Sequence, residues 1–126
     1  MSSRGGPERL EDILESVDSI RRPRSLLDTG TDEALVHDAV LHRFTVIGEA
    51  VGQLPAELLA TEPTIAWAAV RGLRNAIAHA YFDISMPLLW DVVDRDLRPL
   101  ADACGRLLAT LPGDAFRARD PDEDEP

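Results

Sequence analysis

The stretch Arg71-Gly-Leu-Arg-Asn-Ala-Ile-Ala-His-Ala-Tyr81 decides the fold of this chain, because its polar and apolar residues separate onto two sides of a helix. At about 100° per residue, Arg71, Asn75 and His79 follow one another along the polar side. The opposite side predicts a buried stripe, formed by Ala66, Val70, Leu73, Ile77 and Ala80. Such a helix can pack on its own core and still present a polar surface.

The composition of the chain favours helices packed on helices. Its 126 residues suffice for one domain with a single core. Aromatic residues make up only 5% of a chain that is 44% apolar, so Leu and Ala must fill most of that core. Long runs of Val, Ile and Thr are absent, and nothing predicts a sheet. We therefore predict an all-α fold.

Apolar residues at helical spacing predict four main helices and one short one, joined by short connections. The predicted segments are Pro7 to Pro23, Thr31 to Gln53, Pro55 to Leu59, Thr64 to Asp83 and Ser85 to Leu111. Thr31 and Thr64 are predicted to cap their helices, and the segment from Ser25 to Gly30 is predicted to be a loop. The prediction is an antiparallel four- to five-helix bundle over residues 7–111, between a disordered lead-in (1–6) and a disordered acidic tail (112–126).

The charge of the chain limits what it can bind. The net charge is -10, and every basic residue is an arginine. An acidic chain is unsuited to non-specific nucleic-acid binding, which needs positive potential. A small arginine-lined cleft remains possible, because the local field matters more than the sum. Arg21 and Arg22 either complement the negative end of the first helix or contact a phosphate.

Several other classes of site are not predicted. The single cysteine, Cys104, excludes an intrachain disulfide and a cysteine-based zinc site, and its apolar surroundings predict a buried thiol. His37 and His42 lack a third ligand at suitable spacing, so we predict no metal and no cofactor. There is no signal peptide and no apolar run long enough to cross a bilayer, so we expect a cytoplasmic protein without a membrane partner.

Three further residues are interpreted as packing or pairing positions. Gly48 lies within the second predicted helix, where such a glycine usually permits the close approach of another backbone. The adjacent Glu49 is interpreted as a partner for an arginine. Trp67, at the start of the central segment, is interpreted as a core or interface anchor.

The polar side of the central stretch carries the parts needed for RNA cleavage without a metal. An imidazole such as His79 can act as base or acid, and an arginine such as Arg74 can stabilise the charge on a phosphorane. Asn75 can orient the imidazole or bind the phosphate, and Arg71, on the same side, is predicted to bind RNA. A satisfied structural network is the alternative interpretation of these residues.

The angular positions of these residues raise a difficulty. Arg74 and His79 lie about 140° apart on an ideal helix and do not share a face. Either the long Arg74 side chain reaches around, or two copies of the helix meet across a two-fold axis and form a composite site. We favour the homodimer, because it also explains the polar, small-residue face.

The segment from Arg74 to Tyr81 resembles the Arg-x4-His-x-Tyr motif of HEPN domains in the HepT-like toxin family. The flanking segments are also similar to that family, and the resemblance covers about residues 8–111. These segments are His42-Arg-Phe-Thr-Val-Ile-Gly-Glu-Ala50, Trp67 ahead of Arg71-Gly-Leu-Arg-Asn75, and Leu89-Trp-Asp-Val-Val-Asp-Arg-Asp-Leu97 with Pro99-Leu100. It implies a helical bundle that dimerises to form a ribonuclease cleft.

The resemblance also implies roles for individual residues. Arg74 and His79 would be the catalytic pair of an endoribonuclease toxin, with Asn75 as their polar neighbour. The implied partner is a minimal nucleotidyltransferase antitoxin, which would silence the toxin by transferring AMP to Tyr81. The substrate would be RNA, either transfer RNA or messenger RNA. The motif is complete in this chain, whereas the absence of lysine and the acidic tail depart from what tight RNA binding requires.

Two other functions remain open at this point. The same helix could serve only for dimerisation or nucleotide sensing in a non-catalytic adaptor. Alternatively, the chain could be a nucleotide-binding accessory subunit that presents substrate to a nucleotidyltransferase. For the individual residues, the alternative for Arg74 and His79 is a buried polar network that holds the dimer, and the alternative for Tyr81 is a core tyrosine with its hydroxyl at the rim.

Overall fold

The chain folds into helices that pack as a bundle. The computed structural model describes residues 5–27, 30 and 32–111, without the side chains of 21–27. In order, the elements are α1 (Gly6–Leu27), α2 (Glu33–Gly52), α3 (Ala56–Leu59), α4 (Trp67–Arg71), α5 (Leu73–Ala80), a 3-10 turn (Tyr81–Asp83) and α6 (Met86–Thr110). No strand occurs in this described part, and the predicted all-α fold is confirmed.

The core lies mainly between α1, α2 and α6. The helix α1 packs along α2 and against α6, while α4 and α5 pack on the other side of α2. The largest fully buried apolar side chains are Leu10, Ile13, Ile20, Leu41, Ile47 and Leu107. Burial of each such side chain contributes about 1.5–3 kcal/mol. Aliphatic residues thus fill the core, as the scarcity of aromatic residues predicts.

The end of α1 and the start of α2 differ from the predicted bounds. The helix α1 continues through Pro23 to Leu27, so the prediction of an end at Pro23 was wrong. Proline weakens a helix without always ending it. Gly30, with φ +85°, adopts a left-handed turn conformation that glycine accepts readily. Asp32 caps α2 by accepting a hydrogen bond from the Ala34 amide at 2.9 Å, whereas the predicted cap, Thr31, lies outside the described residues.

The predicted central helix is two helices. The chain from 61 to 65 forms turns, and α4 begins only at Trp67, with no side-chain cap, so the prediction that Thr64 caps this helix was wrong. Gly72 then separates α4 from α5. Glycine has the lowest helix propensity apart from proline, which explains why the interruption falls at this residue.

Gly48 allows α2 to approach this junction closely. A Cβ atom built on Gly48 would lie 2.9 Å from the Val70 carbonyl oxygen and 3.3 Å from the Leu73 Cβ. The first distance is shorter than real Cβ atoms tolerate, and the neighbouring atom belongs to the backbone. The predicted close approach at Gly48 is confirmed, and it fixes where α5 lies against α2.

The side of α5 that faces α6 is only partly covered. Of the predicted buried stripe only Ile77 is buried, whereas Val70, Leu73 and Ala80 are half-buried and Ala66 is exposed. Two adjoining cavities of about 390 and 230 Å³ follow α4, α5 and α6. We call them together the α5–α6 groove; the residues common to both are Phe44, Leu73 and Val92. The stripe was over-predicted because no element within residues 5–27, 30 and 32–111 fills the groove.

The helix α6 is fixed to the α3–α4 connection by polar contacts. Arg106 binds Glu62 with two hydrogen bonds, of 3.0 Å from Nε and 2.8 Å from Nη2. The Trp67 Nε1 donates to the Glu62 carbonyl oxygen at 3.0 Å, and the Trp67 side chain is buried, as an anchor residue should be. Burial, with a smaller contribution from the nearby Glu62 carboxylate, raises the pKa of Cys104 to about 12. The predicted buried thiol is confirmed.

Ser85 caps α6, since its hydroxyl accepts a hydrogen bond from the Leu88 amide at 3.3 Å, and Pro99 lies inside the helix. Among the described residues, no helix is both long and apolar enough to cross a membrane. The predicted acidic tail (112–126) and residues 1–4 of the predicted lead-in lie outside the described part of the chain.

Candidate nucleic-acid site

The residues predicted to act on RNA lie on adjoining helices and are open to solvent. Arg74, Asn75 and His79 belong to α5, and Arg71 is the last residue of α4. All four side chains are exposed. A buried polar network is therefore not what these residues form within one copy of the chain.

Three of these residues line a common polar pocket. This pocket, of about 230 Å³, lies between the end of α2 and the start of α5. Its lining residues are Gly48, Glu49, Gly52, Gln53, Arg71, Arg74 and Asn75. Two guanidinium groups and one carboxylate line the pocket, so its formal charge is positive although the whole chain is acidic. An arginine-lined pocket with a nearby amide suits a phosphate group, which arginine binds through two parallel hydrogen bonds.

Glu49 occupies one side of this pocket and contacts the candidate catalytic arginine. Its carboxylate accepts a hydrogen bond from Arg74 Nη1. The Arg74 side chain remains 67% exposed and that of Glu49 44% exposed. An ion pair this accessible to water is weak, because the solvent screens it. The interpretation of Glu49 as a partner for an arginine is confirmed, and a competing anion could displace it.

His79 lies outside the pocket. It is one turn beyond Asn75 on α5, on the side of the helix away from Arg74. Because α5 is continuous from Leu73 to Ala80, the predicted separation of about 140° between Arg74 and His79 holds. Within one copy, the pocket thus contains the cation and the amide but not the imidazole.

Tyr81 follows α5 directly and contacts the first half of α2. Its hydroxyl donates a hydrogen bond to the Asp38 carboxylate, which is the largest cause of the raised pKa of Tyr81; burial and the charge of Asp38 add to it. The imidazole of His37 packs edge-on against the phenol ring, with 5.7 Å between centroids. The neighbouring Phe82 is 96% exposed.

Asp38 was not among the site residues predicted from the sequence, although its spacing from Glu49 contains a signal for it. Asp38 and Glu49 are eleven residues apart on α2, which places them within about 20° of each other around the helix. Arg74 and Tyr81 are seven residues apart and also lie within about 20° on an ideal helix. These two pairs of polar residues face each other on antiparallel segments. Glu49 therefore binds Arg74, and Asp38 binds Tyr81.

The described residues include no group of three or more His, Cys, Asp or Glu side chains that could hold a metal ion. His37 instead donates a hydrogen bond from Nε2 to the Ile84 carbonyl oxygen at 2.7 Å and so links α2 to the start of α6. His42 is exposed on α2.

The fold and the arginine-lined pocket are consistent with a class of protein, namely small helical bundles of the HEPN type, and here the polar motif lies on the exposed side of α5. The chain belongs to the HepT-like ribonuclease family: the family model described as "Ribonuclease HepT-like" matches residues 10–107. This confirms the resemblance seen in the sequence.

Several relatives carry names of the same kind. A Methanocaldococcus jannaschii protein provisionally named RNase MJ0127 is 31% identical over 86 residues, which cover 68% of this chain and 67% of the relative. A second protein of that organism, provisionally named RNase MJ1380, is 31% identical over 77% of this chain and 91% of its own length. A Thermococcus cleftensis protein provisionally named ribonuclease HepT is 28% identical over 77% of this chain and 90% of its own length. No solved structure matches the chain.

Proposed function

We propose that this chain is the toxin of a toxin–antitoxin pair and cleaves RNA as a homodimeric endoribonuclease that requires no metal. The observation that carries the proposal is the exposed pocket with Arg71, Arg74 and Asn75, on the same helical segment as an exposed His79. Membership of a ribonuclease family supports RNA, either transfer or messenger, as the substrate class.

The proposed chemistry needs a proton acceptor, a cation and a proton donor around one phosphodiester. His79 removes the proton of the ribose 2′-hydroxyl, whose oxygen attacks the adjacent phosphorus, or it protonates the 5′ oxygen that leaves. Arg74 stabilises the negative charge that develops on the phosphorane oxygens, and Asn75 orients the phosphate or the imidazole. Arg71 binds a neighbouring phosphate of the RNA. The products are a 2′,3′-cyclic phosphate and a 5′-hydroxyl.

A second copy of the chain would complete the site. The α5–α6 groove is lined mainly by apolar residues, and the part of the chain that the structure describes does not fill it. Its residue Ala76 lies about 60° from His79 around α5. A copy seated in the groove would cover this surface and border His79. It would thereby bring residues of two chains to one cleft, which resolves the separation of Arg74 from His79 on a single helix.

The antitoxin in this proposal is a minimal nucleotidyltransferase that transfers AMP from ATP to Tyr81. The Tyr81 hydroxyl lies on the surface of α2 that also carries Glu49, the partner of Arg74. An attached AMP would bring a negative phosphodiester and a bulky base to the side of α5 that bears Arg74. It would then compete with RNA for the guanidinium group.

A non-catalytic adaptor is the second candidate function. The observation that favours it is the Glu49–Arg74 contact, which occupies the candidate catalytic arginine in the absence of RNA. In that case the α5–α6 groove would be the functional surface, and its role would be to bind a second copy of the chain.

The first prediction separates these two functions. Arg74→Ala and His79→Ala should each lower RNA cleavage by at least about 100-fold, since each removes a group that acts in the transition state. The melting temperature and the dimer should remain nearly unchanged, because both side chains are exposed. Cleavage is measured on labelled RNA with EDTA present, by the appearance of 2′,3′-cyclic phosphate ends.

Two exposed residues elsewhere provide matched controls. Arg95→Ala removes an arginine of α6 that pairs with Asp91 and Asp96, and His42→Ala removes an exposed imidazole of α2. Both variants should cleave RNA at the parent rate. If the parent shows no cleavage of any RNA, or if the Arg74 and His79 variants dissociate the dimer, the adaptor function is the better description.

A further inference from the structure

We propose that Asp38 is the proton acceptor for Tyr81 when AMP is transferred to that tyrosine, so that α2 supplies a catalytic group of the modification site. This inference rests on the AMP transfer proposed above and names the residue that makes the phenol reactive. The carboxylate of Asp38 accepts the hydrogen bond of the Tyr81 hydroxyl, across 43 residues of sequence.

A phenol that stays protonated at neutral pH is a weak nucleophile and needs its proton removed as it attacks. The proximity of Asp38 raises the pKa of Tyr81, so the carboxylate does not create a standing phenolate. It can instead take the proton as the new bond forms. Asp38 is 60% exposed and can pass the proton on to water.

The other groups near the hydroxyl are less suited to this role. His37 Nε2 is committed to the Ile84 carbonyl oxygen at 2.7 Å, and its ring meets the phenol at 89°, edge to face. Its Nδ1 lies 3.7 Å from the Asp38 carboxylate oxygen. Asp83 lies only two residues after Tyr81 in the sequence, but the Tyr81 hydroxyl donates its hydrogen bond to Asp38.

Tyr81 Oη attacks the α-phosphorus of ATP and forms the Oη–P bond, while the bond from that phosphorus to the oxygen bridging to the β-phosphate breaks. Pyrophosphate leaves with that bond's electron pair, and the phenol proton moves to an Asp38 carboxylate oxygen. The nucleotidyltransferase binds ATP, and this chain supplies both the nucleophile and the proton acceptor.

The experiment uses the fact that Tyr81 is the single tyrosine of the chain. The full chain is incubated with its nucleotidyltransferase and ATP, and the rate of AMP addition is followed by intact mass. We expect Asp38→Asn to slow the addition roughly 100-fold at neutral pH. The slowed rate should rise as the pH approaches the pKa of the phenol, because a phenolate needs no acceptor. Asp83→Asn, which removes a neighbouring carboxylate, should react at the parent rate.

A second measurement needs no partner. The ultraviolet absorbance of the phenolate titrates Tyr81 alone, and Asp38→Asn should lower its pKa, because the carboxylate that disfavours the phenolate is gone. If the parent and Asp38→Asn acquire AMP at equal rates and with the same pH profile, the proposed role of Asp38 is wrong, whereas the AMP transfer itself still holds. A parent that never acquires AMP, or acquires it equally well as Tyr81→Phe, would remove the proposed modification and this inference together. An unchanged titration would mean that the contact does not form in solution.

Discussion

The two sides of α5 differ in how closely the rest of the described chain packs against them. Toward α2 the contact is close and specific: Gly48 lies against Leu73, Glu49 binds Arg74, and Asp38 binds Tyr81 directly after α5. Toward α6 the same helix borders an apolar groove that no part of the described chain fills. The contacts with α2 therefore hold the motif in place. We propose that the uncovered side next to α6 binds a second copy of the chain.

The largest predicted effect tests the groove. Leu88 lines it and is 52% exposed, at the third position of α6. An aspartate is favourable in the first turn of a helix, so Leu88→Asp should leave the fold intact. It would place a charge in the proposed interface, and we expect the dimer to dissociate and RNA cleavage to fall at least about 100-fold with it. Sedimentation and the cleavage assay measure the two losses.

The chain provides a closely matched control. Leu35 is 63% exposed and also occupies the third position of its helix, α2, but it does not line the groove. Leu35→Asp should therefore leave both the dimer and the activity unchanged. If the two variants behave alike, or if the parent is a monomer, the second copy does not bind in the groove.

The next prediction concerns the close contact on the α2 side. Gly48→Ala would place a methyl group 2.9 Å from a backbone oxygen, and α2 and α4 would have to separate. Overpacking of this kind costs about 1–3 kcal/mol, only partly offset by the better helix propensity of alanine, about 1 kcal/mol. We expect a lower free energy of unfolding, measured by urea titration, and a loss of RNA cleavage because the pocket changes shape.

Gly105 serves as the reference for that measurement. It lies in α6, and a Cβ built there meets nothing within 4 Å. Gly105→Ala should raise the free energy of unfolding by about 0.5–1 kcal/mol and leave cleavage unchanged. Equal effects of the two substitutions would mean that Gly48 is needed only for its helix propensity and not for the contact.

The comparison also explains which features the sequence could predict. The helices, the exposed polar side of α5 and the close approach at Gly48 follow from periodicity and residue type, which act locally. The stripe with Leu73 and Ala80 was over-predicted, because periodicity marks an apolar side without saying which molecule covers it. Asp38 was missed for a related reason: its importance depends on the register between two antiparallel helices, 43 residues apart in the sequence.

Arg106 shows the same limit. Residue type alone does not distinguish Arg106 from Arg74, since both are arginines that bind a glutamate of a distant element. Arg106 makes two hydrogen bonds to Glu62, whose side chain is only 16% exposed, and this pair fixes α6 to the fold. Arg74 makes one contact in an open pocket. The number of hydrogen bonds to the glutamate and the burial of that glutamate distinguish a structural arginine from an arginine that is available to a ligand.

The smallest predicted effect tests whether the polar contacts of the α2 side are displaceable. Glu49→Gln removes the charge that competes with RNA phosphate for Arg74. An exposed ion pair contributes about 0.5 kcal/mol, which corresponds to roughly a two- to threefold change in a binding constant. We expect KM for RNA to fall by about that factor with kcat unchanged, and the gain to shrink at high salt because the competing interaction is screened. Glu57→Gln, at an exposed position of α3, removes the same charge outside the pocket and should change neither constant. A fall in kcat for Glu49→Gln would instead show that Glu49 holds Arg74 in its working position, so that Glu49 is a positioning residue rather than a competitor of the RNA phosphate.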